Sequence, residues 1–95
     1  MTDQLSPQEE LGDVIEDLVD LIDSGSFNGG QGNSLITKLQ NSIDSLDAGV
    51  LEGAAGQLGA FINQGEAFVQ NGQLTAAEGQ ALIDSVNAIL GQLEL

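Results

Sequence analysis

The stretch Asn71–Ile83, NGQLTAAEGQALI, begins like the second half of a calcium-binding EF-hand loop. Gly72 and Glu78 would occupy positions 6 and 12 of that loop, and position 12 normally supplies a bidentate carboxylate to Ca²⁺. Positions 1 and 3 must also supply oxygen ligands, but they would fall on Ala67 and Val69, whose side chains have none. We therefore interpret this stretch as the corner between two helices and not as a metal site.

Carboxylates also recur along the first predicted helix. At 100° per residue, one face of this helix carries Glu9, Asp13, Glu16, Asp20 and Asp23. Like charges three or four residues apart disfavour a helix by a few tenths of a kcal/mol per pair. One interpretation is weak, delocalised binding of a cation such as calcium, or docking onto a basic partner. The other is a solvated face that keeps the chain soluble or suits a saline medium, and we retain the face only as a weak candidate site.

The composition excludes most catalytic constellations. The chain contains no His and no Cys, which removes the commonest general base and thiolate chemistry. Paired carboxylates such as Asp13 and Asp17 could in principle act as general acid and base, but a solvated helix face lacks the burial that such catalysis needs. The glycines of residues 25–32 are not followed by the GK[ST] of a phosphate loop. We predict no enzyme, no cofactor and no catalytic, cofactor-binding or dedicated metal-binding residue.

The charge balance also restricts the partners. The chain has 15 acidic residues against one basic residue, Lys38, and a net charge of −14. Such a chain repels nucleic-acid phosphates and anionic lipid surfaces. We therefore predict no nucleic-acid binding and, because no apolar run is long enough, no membrane insertion.

Two predicted helices have clear boundaries. The first begins with a capping box formed by Ser6 and Glu9, and Gly25 is placed to end it in the left-handed conformation. The fourth begins with a second capping box, formed by Thr75 and Glu78. The third helix lies in the stretch that begins at Val50, with Gly72 as its natural stop, and we suggest that its glycines 53, 56, 59 and 65 permit close approach of a neighbouring helix.

A shift of 47 residues reveals an internal repeat that locates the second helix. Gly25 then meets Gly72, Gly32 meets Gly79, and "SLI" at 34–36 meets "ALI" at 81–83. In this register Asn28 caps a second helix that runs to about Asp47. We therefore predict one all-α domain over residues 1–95. It is a four-helix bundle made of two similar antiparallel hairpins, at about 7–48 and about 50–94.

The quoted segments "SLITKL" at 34–39, "AFI" at 60–62, Gly-x-Leu-Thr at 72–75 and "ALID" at 81–84 resemble the small all-α domain called FIMAH, over about Leu11–Leu90. The resemblance implies a non-catalytic accessory module of a secreted or cell-surface bacterial protein, attached to enzymatic or adhesive domains. The first ten residues do not have the pattern of a signal peptide, so the chain is either intracellular or a domain of a longer secreted protein. Because of the resemblance, we expect an extracellular or cell-surface location as part of a larger protein.

The function expected from these features is spacing, anchoring or protein–protein contact within that larger protein. Its partners would be a protein or the neighbouring domains of the parent. The alternatives are a module that responds weakly to calcium and a weak homo-oligomer that self-assembles.

Overall fold

The computed structural model describes residues 6–93, which form four α-helices and no β-strand. The helices are α1 (Pro7–Asp23), α2 (Gly29–Asp47), α3 (Leu51–Gln70) and α4 (Ala76–Leu93). This confirms the predicted all-α class. Residues 1–5 and 94–95 of the predicted domain, and with them the last residue of the second hairpin, lie outside the described range.

The first and fourth helices begin with the capping boxes that the sequence predicts. The Glu9 N–H donates to Ser6 Oγ at 3.2 Å, and the Ser6 N–H donates to Glu9 Oε1 at 2.9 Å. The Glu78 N–H donates to Thr75 Oγ1 at 3.0 Å, and the Thr75 N–H donates to Glu78 Oε1 at 3.2 Å. Each box satisfies two backbone donors that the helix itself cannot satisfy.

The second helix begins at the position that the internal repeat predicts. Asn28 Oδ1 accepts a hydrogen bond from the Gln31 N–H at 3.1 Å, which corresponds to the bond accepted by Thr75 in the second hairpin. The third helix begins differently, because its N-cap Val50 makes no side-chain hydrogen bond.

The two hairpins turn through equivalent corners. Gly25 and Gly72 have φ of +81° and +80°, a conformation that favours glycine because it has no Cβ. The same backbone hydrogen bond closes each corner: Ser26 N–H to the Leu21 carbonyl at 2.9 Å, and Gln73 N–H to the Phe68 carbonyl at 2.8 Å. This is the Schellman pattern of helix C-termini. A third such corner, with Gly49 at φ +79°, joins α2 to α3.

The helices form a ring in which each one packs against two neighbours. α2 contacts α1 and α3, and α4 contacts α3 and α1, whereas the diagonal pairs lie across the core from each other. The core is apolar and draws on every helix and both glycine corners: Leu11, Val14, Leu18, Phe27, Leu35, Leu39, Leu58, Phe61, Phe68, Leu74, Leu82, Val86 and Ile89. The α2–α3 interface is the most extensive of the four, and the α1–α4 interface is the least extensive.

The two equivalent corners lie at the same end of the bundle. The Phe27 ring of the first corner contacts the Phe68 ring at the end of α3, edge to face, with centroids 5.5 Å apart and planes at 69°. At the other end, Gln8 Nε2 donates to Asp47 Oδ1 at 3.1 Å and joins the start of α1 to the end of α2.

Two glycines in the first turns of α2 and α4 allow the preceding helices to approach closely. A Cβ added at Gly32 would overlap the Ile22 side chain, whose Cγ1 would lie at 2.7 Å. A Cβ added at Gly79 would overlap Cγ2 of Val69. Both pairs are related by the 47-residue shift, so the repeat extends to this packing detail.

The glycines of α3 do not, in general, permit the close approach of a neighbouring helix that we expected from the sequence. A Cβ added at Gly56 or Gly59 would meet nothing within 4 Å, and one at Gly65 would lie an ordinary 3.6 Å from Ile83. Of the four, only Gly53 is tightly surrounded, and its neighbours belong to its own corner. Leu51, which helical periodicity places on the apolar stripe of α3, is instead 40% exposed because it begins the helix beside the corner.

Candidate functional site

The acidic residues predicted as a weak candidate site all lie on the surface of α1. Five exposed side chains make up this set, which we call the α1 acidic face: Glu9, Asp13, Glu16, Asp20 and Asp23. Glu9 already accepts the Ser6 N–H of the capping box. The carboxylates are therefore solvated along the helix and are not gathered around a common point.

The structure brings no chelating cluster together. Within residues 6–93, no group of three or more His, Cys, Asp or Glu side chains is arranged to hold a metal ion. The corner at 71–78 uses its candidate ligand for capping, because Glu78 accepts the Thr75 N–H. Leu74 of the same corner is buried in the core. Calcium binding therefore stays a hypothesis in which the spread negative charge of α1 attracts the ion without a coordination site.

The acidic residues are distributed very unevenly among the helices. α1 contains seven: Glu9, Glu10, Asp13, Glu16, Asp17, Asp20 and Asp23. The other three helices contain two each: Asp44 and Asp47 in α2, Glu52 and Glu66 in α3, Glu78 and Asp84 in α4. α3, the counterpart of α1 in the second hairpin, therefore forms an equivalent helix with far less charge.

A groove runs between α1 and α4, where the helix–helix interface is least extensive. It consists of two depressions of about 270 and 300 Å³ that both include Asp17. The apolar side chains at its base are Val14, Leu21, Leu82 and Ile89. We call this surface the α1–α4 groove.

The two walls of the α1–α4 groove differ in character. The α1 wall carries Glu10, Asp13, Asp17 and Asp20. The α4 wall carries small, exposed side chains, Ala81, Ser85 and Ala88, with Glu78 at one end. Gln92 Nε2 donates to Glu10 Oε2 at 2.7 Å and bridges the two helices near the other end.

The 47-residue shift relates this groove to the interface between α2 and α3, which is the most extensive of the four. Asp17 corresponds to Gln64, and Ala81 corresponds to Ser34. The Gln64 amide and the Ser34 hydroxyl are hydrogen-bonded to each other across that interface, at 3.2 and 3.3 Å. No such pair can form between Asp17 and Ala81, because an alanine side chain has no polar atom.

The apolar base differs from its counterpart mainly at one depression. Leu21 corresponds to the larger Phe68. At the other depression Val14 corresponds to the larger Phe61, but this is offset because Ile89 corresponds to the smaller Ser42. The depression beside Leu21 is therefore the one where the α1–α4 side has less side-chain volume. The groove and the meeting of Asp17 with Ala81 were not predicted from the sequence, although the repeat aligns these two positions with Gln64 and Ser34.

The interior provides little for acid–base or nucleophilic chemistry. Ser42 is fully buried, and its hydroxyl donates to the Lys38 carbonyl at 2.8 Å, so it acts within its own helix. None of the four described helices is long and apolar enough to cross a membrane.

Comparison with known proteins identifies the family. A family model described as the FIMAH domain matches residues 11–91. The chain belongs to the FIMAH domain family. The match covers nearly the same residues as the resemblance of the sequence segments, and it indicates a small accessory domain. No curated protein and no solved structure matches this FIMAH domain.

Proposed function

We propose that this FIMAH domain is a non-catalytic interaction module of a larger secreted or cell-surface bacterial protein, which it anchors or spaces through protein–protein contacts. The charge distribution between equivalent helices carries the proposal. α1 and α3 occupy corresponding positions in the two hairpins, yet α1 has seven acidic residues and α3 has two. The fold does not need the additional charge, because α3 forms without it.

The unneutralised charge favours contact with a protein over the alternatives. It repels phosphate backbones and anionic lipids, and it attracts basic protein surfaces. Electrostatic attraction of this kind mainly raises the association rate and selects the partner. Self-assembly through α1 is disfavoured for the same reason, since two copies of this surface repel each other.

The proposal is tested in the parent protein. Three substitutions on the α1 acidic face, Asp13→Asn, Glu16→Gln and Asp20→Asn, are compared with a matched control of Asp44→Asn, Glu52→Gln and Glu66→Gln on α2 and α3. All six side chains are exposed, and both variants lose three charges. We expect the α1 variant to reduce the fraction of parent protein attached to the cell surface while the activity of the other domains is unchanged.

Three outcomes would contradict the proposal. Attachment could be the same for both variants and wild type, which would exclude an anchoring contact through α1. The isolated domain could turn over a substrate, which would exclude a non-catalytic module. Light scattering could show concentration-dependent assembly that the α1 substitutions leave unchanged, which would favour a self-assembling subunit formed through another surface.

A further inference from the structure

The α1–α4 groove has a definite chemical character that the proposed contact does not specify. Its base is apolar, one wall is a row of carboxylates and the other wall is formed by small side chains. From Asp13 to Asp20 the acidic wall extends about 10 Å along the helix axis, which is two helical turns. A surface of this size accommodates a short peptide segment.

The equivalent interface shows what kind of side chain one end of the groove lacks. Phe68 stands at the position where α1 has the smaller, only partly buried Leu21, which lines a depression with Leu82. A bulky apolar side chain from outside can occupy this depression. The exposed Ala81 and Ala88 leave space for its backbone to approach α4.

The carboxylates of the groove wall indicate that basic side chains must accompany that apolar side chain. Asp13, Asp17 and Asp20 lie along the wall, and Lys38, the one basic residue in the chain, is on α2 and outside the groove lining. Lys or Arg side chains beside the apolar anchor would therefore meet carboxylates that the described part of the domain does not neutralise. Helix-in-groove recognition combines an apolar face with flanking charges in this manner.

We propose that the α1–α4 groove binds a short basic amphipathic helix of a partner protein, with a large apolar side chain placed in the depression beside Leu21 and Leu82 and basic side chains placed against Asp13, Asp17 and Asp20. This inference rests on the proposed function and specifies the surface and the partner chemistry. A calcium ion or an anionic lipid surface would not use the apolar base of the groove.

The probe is a synthetic 14-residue helix of leucine and lysine with one apolar face. It is compared with a peptide of the same composition in scrambled order and with a lysine-only peptide of equal charge. We expect the amphipathic helix to bind at least tenfold more tightly than either control. NMR chemical-shift changes should concentrate on Val14, Leu21, Ala81, Leu82 and Ile89.

Matched variants separate the groove from the general charge of α1. Asp17→Gln and Asp20→Ala introduce the residues that stand at the equivalent positions of α3, so the substitutions suit this helical framework. The control is Glu16→Gln with Asp23→Asn, on the same helix but outside the groove lining. We expect a tenfold or greater loss of affinity for the groove variant and less than a threefold loss for the control.

A second pair of variants changes volume without changing charge. Ala81→Leu fills the groove from its exposed α4 wall, and Ala77→Leu places the same side chain elsewhere on the exposed surface of α4. Ala81→Leu should abolish binding, and Ala77→Leu should leave it unchanged.

Several results would overturn the groove inference. Equal binding of the scrambled peptide, equal loss in both charge variants, or chemical-shift changes spread along the α1 acidic face would each show binding by charge alone. Those results would leave the proposed contact function standing, since that function is tested separately by attachment of the parent protein. Saturable calcium binding that blocks the peptide at constant ionic strength would favour the cation-responsive alternative.

Discussion

The close approach of α3 and α4 at Gly79 leads to a specific prediction about Gly79→Ala. In an open helical position, replacing glycine by alanine stabilises a protein by about 0.5–1 kcal/mol. At Gly79 the added Cβ would overlap Cγ2 of Val69, while Val69 Cβ would lie at 3.6 Å and Leu74 Cβ at 4.0 Å. One methyl group of Val69 is therefore the specific obstacle.

The size of the effect follows from the stiffness of that obstacle. Valine in a helix strongly prefers one χ1 rotamer, so Val69 cannot readily rotate its methyl group away. Forcing additional carbon into a packed site costs about 1–3 kcal/mol. After the helix-propensity gain is subtracted, Gly79→Ala should lower the free energy of unfolding by about 0.5–2 kcal/mol. In a domain of this size, each 1 kcal/mol lowers Tm by about 4–8 °C.

A double-mutant cycle measures the overlap directly. In a Val69→Ala background the obstacle is absent, so Gly79→Ala should stabilise the domain, with a coupling free energy of about 1–3 kcal/mol. Gly56→Ala is the matched control, because its Cβ would meet nothing within 4 Å, and it should raise stability by about 0.5–1 kcal/mol. Urea unfolding followed by circular dichroism gives the free energy of unfolding of the wild type, both single mutants and the double mutant. The packing explanation would be refuted if Gly79→Ala stabilised the wild-type domain as much as Gly56→Ala does.

Four further predictions concern the repeat and the charge. Gly25→Ala and Gly72→Ala should each cost about 1–2 kcal/mol in urea unfolding, because both positions have positive φ; a neutral effect at either would contradict the corner equivalence. Phe27→Ala should cost about 3–5 kcal/mol, and Phe27→Leu much less, since Leu74 fills the equivalent position; equal costs would refute this. Gly32→Ala should also lower Tm, because the added Cβ would overlap Cγ1 of Ile22, and isoleucine in a helix is as restricted at χ1 as valine; an unchanged or raised Tm would contradict it. Sodium and calcium chloride at matched ionic strength should raise Tm equally by screening, and a saturable calcium heat in calorimetry would contradict this.

The sequence was sufficient to predict where the first and fourth helices begin, because those boundaries depend on local chemistry. Ser6 with Glu9 and Thr75 with Glu78 can cap only a helix that starts beside them, and Gly25 and Gly72 provide the turn after it. The second helix was harder to locate, since its first turn is rich in glycine. The repeat located it by placing Asn28 opposite Thr75.

The packing details could not be read from the same pattern. Helical periodicity identifies which residues face the core, but the overlap of Gly79 with Val69 depends on the distance between two helices. The α1–α4 groove likewise depends on which side chains meet across a non-local interface, here Asp17 and Leu21 of α1 with Ala81 and Leu82 of α4.

Some aspartates of α1 destabilise their helix at positions where α3 has residues that do not. Asp17 and Asp20 lie three residues apart, and Asp13 lies four residues before Asp17, so these like charges cost a few tenths of a kcal/mol per pair. The counterparts in α3, Gln64 and Ala67, have no such repulsion, and both are better helix formers than aspartate. The Asp17→Gln, Asp20→Ala variant should therefore be more stable than wild type, by about 1 kcal/mol, while it binds the basic helix more weakly. If the variant were more stable but bound the basic helix as tightly as wild type, the acidic residues of the groove wall would be explained by solubility or a saline medium and not by a partner.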